Sequence, residues 1–154
     1  MISLKNRQSG FTIVGLLIVI VVIGILAGLV VTTFNGIQQK GRDTERQTDI
    51  KALHSQLEAY YAKTGTYPLL SQFNDSAFRA ANMQGLDSDA LQDPRGTTPV
   101  LVAAPVANSY SFQVYEVDGT TACTVAANCA KYILTATLEG QINGASTYVK
   151  DSLN

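Results

Sequence analysis

An uncharged apolar run from Phe11 to Phe34 is the feature that most constrains how this chain folds. About 20 apolar residues cross the hydrocarbon core of a bilayer as one helix, so the run predicts a transmembrane helix. Lys5 and Arg7 precede it, and basic residues beside a span tend to stay in the cytoplasm. The sequence therefore predicts a single-pass protein with its N-terminus inside and everything after Phe34 outside.

The junction between the basic leader and the apolar run carries a recognisable motif, SGFTIVGLLI, at residues 9–18. A secretory signal is cleaved after its apolar segment, whereas here the small residue Gly10 precedes that segment. The motif resembles the N-terminus of type IV prepilins and pseudopilins. This resemblance implies that a membrane-embedded aspartic prepilin peptidase cleaves between Gly10 and Phe11 and methylates the new N-terminus of Phe11. It also implies self-assembly with other pilins, driven by an assembly platform and its ATPase.

Gly15 is the one departure from that motif, because the family has a glutamate at the fifth position of the mature chain. The resemblance implies that this glutamate meets the terminal ammonium of a neighbouring subunit. Two unit charges about 4 Å apart attract by roughly 4 kcal/mol at an effective dielectric constant of 20, and Gly15 can supply none of this. Either the Phe11 ammonium has another partner, such as the Thr12 hydroxyl, or the chain occupies a tip, minor or pseudopilin position.

Two glycines within the apolar run, Gly24 and Gly28, form a G-x-x-x-G pattern. Such spacing allows two helices to approach closely in lipid. The alternative is that glycine is simply frequent in transmembrane helices. We expect Gly24 and Gly28 to lie where this helix packs.

A second helical pattern follows at about residues 42–64, where Ile50, Leu53 and Leu57 recur at helical spacing with Tyr60 and Tyr61. This stripe predicts an amphipathic helix that covers a sheet. The charged residues around it are expected to form a solvated face; they are Asp43, Glu45, Arg46, Asp49, Lys51 and Glu58. The sequence GTYP at residues 65–68 predicts the end of the helix, and in the family a Tyr-Tyr pair followed by Gly-x-Tyr-Pro is frequent.

Residues 69–99 contain many turn-forming residues and predict a connecting loop with a short helix around residues 76–83. The DPRG sequence at residues 93–96 resembles a feature of pseudopilins. Asp87, Asp89 and Asp93 alternate as in a calcium loop, but the EF-hand pattern is broken. We therefore interpret them as solvated acids and expect no metal and no cofactor.

Period-two patterns after residue 100 predict an antiparallel sheet between about residues 100 and 150. Three strands are expected around residues 110–117, 132–138 and 148–149, with residues 100–104 as an optional fourth. Asp118-Gly119 is typical of a hairpin turn between the first two. A long helix followed by strands predicts an α+β fold, and the resemblance implies a pilin-like head with this architecture.

Cys123 and Cys129 are the only cysteines, and they lie in the part predicted to be extracytoplasmic, where disulfides persist. Their spacing is not C-x-x-C and the single histidine, His54, is distant in sequence, so a redox or metal role is poorly supported. We predict a disulfide that fastens a connection between strands.

The domain map that follows is a leader at residues 1–10, a transmembrane and filament-core helix at 11–34, and an extracytoplasmic head at 35–154. Without Lys5 and Arg7, nine basic residues remain of the 11 against 12 acidic ones, a net charge of −3. A basic patch is the usual mark of nucleic-acid binding, so that function is disfavoured. Hydrolase and nucleotide chemistry are disfavoured as well, because the chain has one histidine, no G-x-S-x-G motif and no phosphate-binding glycine loop.

Three functions remain open at this point. The first is a structural subunit, minor or ordinary, of a type IV pilus that serves adhesion, twitching motility or DNA uptake. Such a subunit would be a single-pass precursor in the inner membrane and then part of a filament on the cell surface. The second is a pseudopilin of a type II secretion-like system. The third is a membrane-anchored extracellular domain that does not polymerise.

Overall fold

The computed structural model describes residues 12–154, and its first element is one uninterrupted helix, α1 (Ile13–Thr64). Thr12 begins it as an N-cap, because the Gly15 N–H donates to Thr12 Oγ1 at 3.2 Å. At the other end Gly65 adopts a φ of +77° and its N–H donates to the Tyr61 carbonyl at 2.7 Å. This left-handed glycine stops the helix where the sequence predicts.

The chain divides into two compact units between Gln38 and Gln39. In the first, residues 13–38 are helical and their large apolar side chains, from Ile13 to Ile37, are 45–81% exposed. Among residues 12–154, α1 is the one helix with a stretch long and apolar enough to cross a membrane. Lipid or other helices are the surroundings that such a surface requires.

The second unit, Gln39–Asn154, is an α+β head, as predicted. The C-terminal part of α1 packs on an antiparallel sheet of three strands in the order β1 (Tyr110–Tyr115), β2 (Lys131–Ile142) and β3 (Ala145–Asp151). Phe112 pairs with Leu134, and Leu134 pairs with Lys150. The optional fourth strand is reduced to a bridge between Val102 and Ser111.

Two turns shape the sheet. Asp118-Gly119 does form a tight turn, with the Gly119 N–H donating to the Glu116 carbonyl at 2.9 Å, but the chain then makes a further loop before β2 begins. The prediction that this turn directly joins the first two strands is therefore wrong. The direct hairpin lies between β2 and β3, where Asn143 and Gly144 have φ values of +52° and +81°. Paired positive φ angles suit the twist of a two-residue hairpin.

The core lies between α1 and the sheet. Ile50, Leu53 and Leu57 are fully buried on the helix, and they contact a layer of sheet residues that includes Phe112 and Leu134. Each such aliphatic side chain stabilises the fold by about 1.5–3 kcal/mol. The predicted apolar stripe is therefore the face that holds the head together.

Residues 69–99 are more ordered than the sequence analysis predicts. They contain helix α2 (Leu70–Asn74), helix α3 (Ser76–Asn82) and a 3₁₀ turn (Ser88–Leu91). The short helix expected near residues 76–83 is confirmed as α3. The interpretation of the remainder as a loop with little structure is wrong, because Phe73, Met83 and Leu91 are buried in the core. Isolated apolar residues among turn residues do not reveal this docking by periodicity.

Candidate functional site

The N-terminal processing motif reaches the described structure only at Thr12. Gly10 and Phe11, the predicted cleavage and methylation positions, lie outside the described residues. The Thr12 hydroxyl, the alternative partner expected for the Phe11 ammonium, accepts the Gly15 N–H. A Cβ at position 15 would lie 3.1 Å from Thr12 Oγ1. A side chain at position 15 would therefore press on the cap that begins α1.

The apolar helical segment offers a surface for another helix. Gly24 and Gly28 lie within α1, and a Cβ built at either position meets no described atom within 4 Å beyond the adjacent residues and the helix's own neighbouring backbone. Further along, a shallow apolar groove is lined by Leu26, Val30 and Ile37 among others. Close helix approach at the two glycines stays a prediction, since it depends on a second helix.

A charged cluster lies at the start of the head and joins three elements. Its centre is Arg46 on α1, which is 1% exposed. Arg46 Nε and Nη2 donate to the two Asp93 carboxylate oxygens at 2.6 and 2.9 Å. Arg46 Nη1 donates to Asp43 Oδ1 at 2.8 Å and to Glu139 Oε1 at 3.0 Å. We define the charged cluster as Arg42, Asp43, Arg46, Asp93 and Glu139.

Glu139, at the far end of β2, is bound by arginines from two directions. Arg42 donates to both of its oxygens, at 2.7 and 2.6 Å, while Arg95 approaches from the rim at 3.5 Å. The hydrogen bond from Arg42, assisted by Arg46, lowers the pKa of Glu139 to about 2. Glu139 is therefore ionised at any physiological pH.

Asp43 ties α1 to the backbone of β2. Its two carboxylate oxygens accept the Glu139 and Gly140 N–H groups, each at 2.9 Å, at the point where the pairing of β2 with β3 is irregular. Burial opposes the charge of Asp43, but these two N–H donors and Arg46 outweigh it and lower its pKa. The carboxylate thus replaces the missing strand partner of this backbone.

The charged cluster corrects the sequence analysis. Asp43 and Arg46 were expected on a solvated face and Asp93 in a solvated loop, yet they are 5%, 1% and 2% exposed. The cause is mutual neutralisation by groups far apart in sequence, which no local pattern reveals. One signal was available, because Arg46 precedes Ile50, Leu53 and Leu57 at helical spacing and so shares their buried face.

The same contacts bear on the calcium alternative. Both Asp93 oxygens accept from Arg46, and Asp87 Oδ1 accepts the Asp89 N–H at 3.1 Å as a cap of the 3₁₀ turn. Within residues 12–154, no three His, Cys, Asp or Glu side chains lie together in a way that could hold a metal ion. The residues that alternate in sequence therefore serve different local roles.

The opposite end of the head is fastened by a disulfide and a polar network. Cys123 and Cys129 are bonded, as predicted, with their Cα atoms 5.5 Å apart, and the Cys129 carbonyl accepts the Tyr67 N–H at 2.9 Å. Nearby, Glu58 Oε1 accepts the Tyr132 hydroxyl at 2.8 Å and the Tyr67 hydroxyl at 3.1 Å. Glu58, which was expected on the solvated face, instead satisfies two phenols whose pKa values are raised by burial.

Known proteins that resemble this chain share its N-terminal motif and part of its head. The family model described as the prokaryotic N-terminal methylation motif matches residues 5–31. The type II secretion system core protein G of Aeromonas hydrophila is 40% identical over 72 residues, which are 47% of this chain and 50% of that protein. The core protein G of Escherichia coli K12 is 32% identical over 105 residues, 68% of this chain and 71% of that protein. The chain belongs to the type IV pilin and pseudopilin family.

Other comparisons set the limits of this assignment within the pilin and pseudopilin family. The type IV major pilin protein PilA of Myxococcus xanthus is 33% identical over 61 residues, 40% of this chain and 28% of that protein. The chain spans about half the length of the Aeromonas relative. No solved structure matches the structure of this chain. The methylation motif and the apolar part of α1 together indicate a membrane-anchored pilin-like precursor.

Proposed function

We propose that this chain is a pseudopilin of a type II secretion-like system. The observation that carries the proposal is the match to core protein G of Escherichia coli, which extends over 105 residues and so reaches well beyond the N-terminal motif. The DPRG sequence at residues 93–96 supports it as well. The pilus subunit that the sequence analysis placed first is the weaker candidate.

In this proposal the precursor is held in the inner membrane by residues 11–34, with the leader, residues 1–10, in the cytoplasm and the head, residues 35–154, outside. A prepilin peptidase cleaves between Gly10 and Phe11 and methylates Phe11. The chain's role is structural, and its partners are copies of itself, related pseudopilins and an assembly platform with its ATPase. The two units on either side of residue 38 support this division of labour.

The physics of the apolar helix favours assembly over a solitary anchor. Its large apolar side chains from Ile13 to Ile37 are exposed, and each Å² of apolar surface moved from lipid to water costs about 25 cal/mol. A helix that leaves the bilayer must therefore bury this surface against other helices. Gly24 and Gly28 are the positions where we expect the closest approach.

Gly15 supports a specialised position in the filament. Without a carboxylate at this position, the chain cannot neutralise the terminal ammonium of a subunit in the way the family's glutamate does. A tip or minor subunit has no need of that contact on one side. Replacing Gly15 by Glu tests this: if wild-type and Gly15→Glu chains enter the filament shaft equally well, the argument for a special position fails.

Processing is tested on the full chain produced in bacterial inner membrane with and without a prepilin peptidase. Mass spectrometry of the mature N-terminus should find Phe11 carrying one methyl group, only when the peptidase is present. A Gly10→Val variant should stay uncleaved, while a Ser9→Ala variant serves as the matched control. A mature chain that begins elsewhere contradicts the proposal.

The match to the major pilin of Myxococcus xanthus favours the second candidate, a type IV pilus subunit. Deletion of the gene in its native bacterium separates the two. Loss of protein secretion with surface filaments intact supports the pseudopilin, whereas loss of surface filaments or of twitching supports the pilin. A chain that keeps its leader in the presence of the peptidase and cannot be crosslinked to itself or to related subunits supports the third possibility, a solitary anchored domain.

A further inference from the structure

The first turns of α1 in the head are attached to the sheet differently from the rest of the helix. Residues 38–49 (QQKGRDTERQTD) contain no apolar side chain. Within them, Asp43 and Arg46 are the residues buried in the described structure. From Ile50 onward, fully buried aliphatic side chains hold the helix instead. One helix thus has a polar attachment followed by an apolar one.

The polar attachment is the charged cluster, and its partners come from outside α1. Asp93 holds Arg46 from the loop, while Glu139 holds Arg42 and Arg46 from β2. Asp43 in turn accepts two backbone N–H groups of β2, and the site is shaped for it, because a Cβ at Gly140 would lie 3.3 Å from Asp43 Oδ2. Every one of these cross-element contacts ends at residue 42, 43 or 46 of the helix.

The two attachments respond differently to separation. Charged groups that leave a buried site recover their hydration, so a buried ion-pair cluster contributes little net stability compared with an apolar contact of equal size. Aliphatic side chains such as Leu53 gain no favourable hydration when they are exposed to water. Local openings of lower free energy than global unfolding follow such differences. The helix should therefore separate from the sheet first at the charged cluster.

We propose that the charged cluster is a releasable attachment for residues 39–47 of α1. When it opens, residues 50–64 stay packed on the sheet and the head stays folded. The nine residues 39–47 then leave the sheet, a helical stretch of about 13 Å at 1.5 Å per residue. The hydrogen bond from the Tyr110 hydroxyl to Asp49, 2.7 Å long, lies next to the released residues and stays in place between α1 and the sheet. This inference does not depend on whether the filament is a pilus or a pseudopilus.

Amide hydrogen exchange on the full chain in detergent micelles, followed by NMR, tests the proposal. The Glu139 and Gly140 amides report the attachment, because Asp43 is their acceptor, and the Leu134 and Thr135 amides in the middle of β2 report the head. In the wild type, the first pair should exchange at least 100-fold faster than the second. Arg46→Met should accelerate the first pair at least 10-fold further and change the second less than threefold.

Arg95→Met is the matched control, since Arg95 is 57% exposed at the rim and 3.5 Å from Glu139; it should leave all four amides unchanged. Equal acceleration of all four amides by Arg46→Met, or loss of the folded head, would show that cluster and core open as one unit and overturns the proposal. The absence of any acceleration overturns it too.

A second measurement uses spin labels at the exposed positions Thr44 and Thr147. Arg46→Met should add a second, longer distance between the two labels. An unchanged distance means that only the end of the strand frays, and this result overturns the proposal as well.

Discussion

Arg46 shows at the scale of one residue what burying a charge requires. Its guanidinium donates to carboxylates on a helix, a loop and a strand, so its planar fork is used in two directions at once. A lysine could not do this, because an ammonium is a single, strongly hydrated point charge. The bond to Asp93 is the main reason that the pKa of Arg46 is raised. The position therefore selects arginine by geometry as well as by charge.

Asp49 makes the stability of the fold depend on pH with a sign opposite to that of the carboxylates in the charged cluster. Burial raises its pKa from 3.8 to about 6, although the Tyr110 hydroxyl donates to it. Because the folded state then binds the proton more tightly than the unfolded state, this group's contribution to stability falls as the pH rises from about 4 to about 7. Asn at position 49 resembles the protonated acid and can still accept from Tyr110.

We therefore expect Asp49→Asn to raise the melting temperature of the full chain at pH 7 and to leave it unchanged at pH 4, measured by circular dichroism in detergent. Glu45→Gln, a change at an exposed neighbour, should narrow the difference in melting temperature between pH 4 and pH 7 only slightly. Glu139 and Asp43 act in the other direction, because their pKa values are lowered and their contribution is lost as the pH falls. A variant that gains stability equally at both pH values would contradict the role given to Asp49.

At the scale of the element, the helix and the strands could be predicted because their signals are local. The stripe of Ile50, Leu53 and Leu57 and the alternation through β1 and β2 each repeat within a few residues. The charged cluster could not be predicted in the same way, since Arg46 and Glu139 are 93 residues apart in sequence. The docking of Phe73 and Leu91 was missed for the same reason: isolated apolar residues carry no period.

The β2–β3 hairpin was also missed, although Asn143-Gly144 is a strong hairpin signal. Gly144 has a φ of +81°, and an L-residue there costs about 1–2 kcal/mol. Gly144→Ala should therefore lower the free energy of unfolding by about that amount. Gly41→Ala is the matched control with the opposite sign: Gly41 is helical with open space around it, so alanine should stabilise by about 0.5–1 kcal/mol. Urea titration of both variants measures the two changes, and a neutral Gly144→Ala would contradict the turn assignment.

The disulfide fastens the connection between β1 and β2 without creating the sheet. Closing so short a loop stabilises the fold by about 2 kcal/mol, while the strands keep their own ladder of hydrogen bonds. Replacing Cys123 and Cys129 together by serine should lower the free energy of unfolding by about 2 kcal/mol and preserve the far-ultraviolet circular dichroism spectrum. A reductant should lower the stability of the wild type to the same extent and leave the double variant unaffected. Loss of the sheet signal would mean that the bond is needed for folding.

The whole molecule combines two units that require different surroundings. Large apolar side chains of the first unit are exposed in the single chain, whereas Ile50, Phe112 and Leu134 of the second bury one another. In the described chain, every buried residue lies at or after Asp43. The apolar segment therefore supplies no residue to the described core of the head. It is the apolar segment that requires lipid or partner helices.

A chain that begins at Gln39 should consequently fold as a soluble monomer. It retains the whole described core, the charged cluster, the disulfide and the sheet, and it lacks the exposed apolar residues from Ile13 to Ile37. Size-exclusion chromatography without detergent should give one monomeric peak, and urea unfolding should be cooperative. The full chain, prepared identically, should aggregate unless detergent is present, because its apolar helix remains. If the shortened chain also aggregates, or if its tyrosines give no near-ultraviolet dichroism, then residues before Gln39 contribute to folding of the head and the two units are not independent.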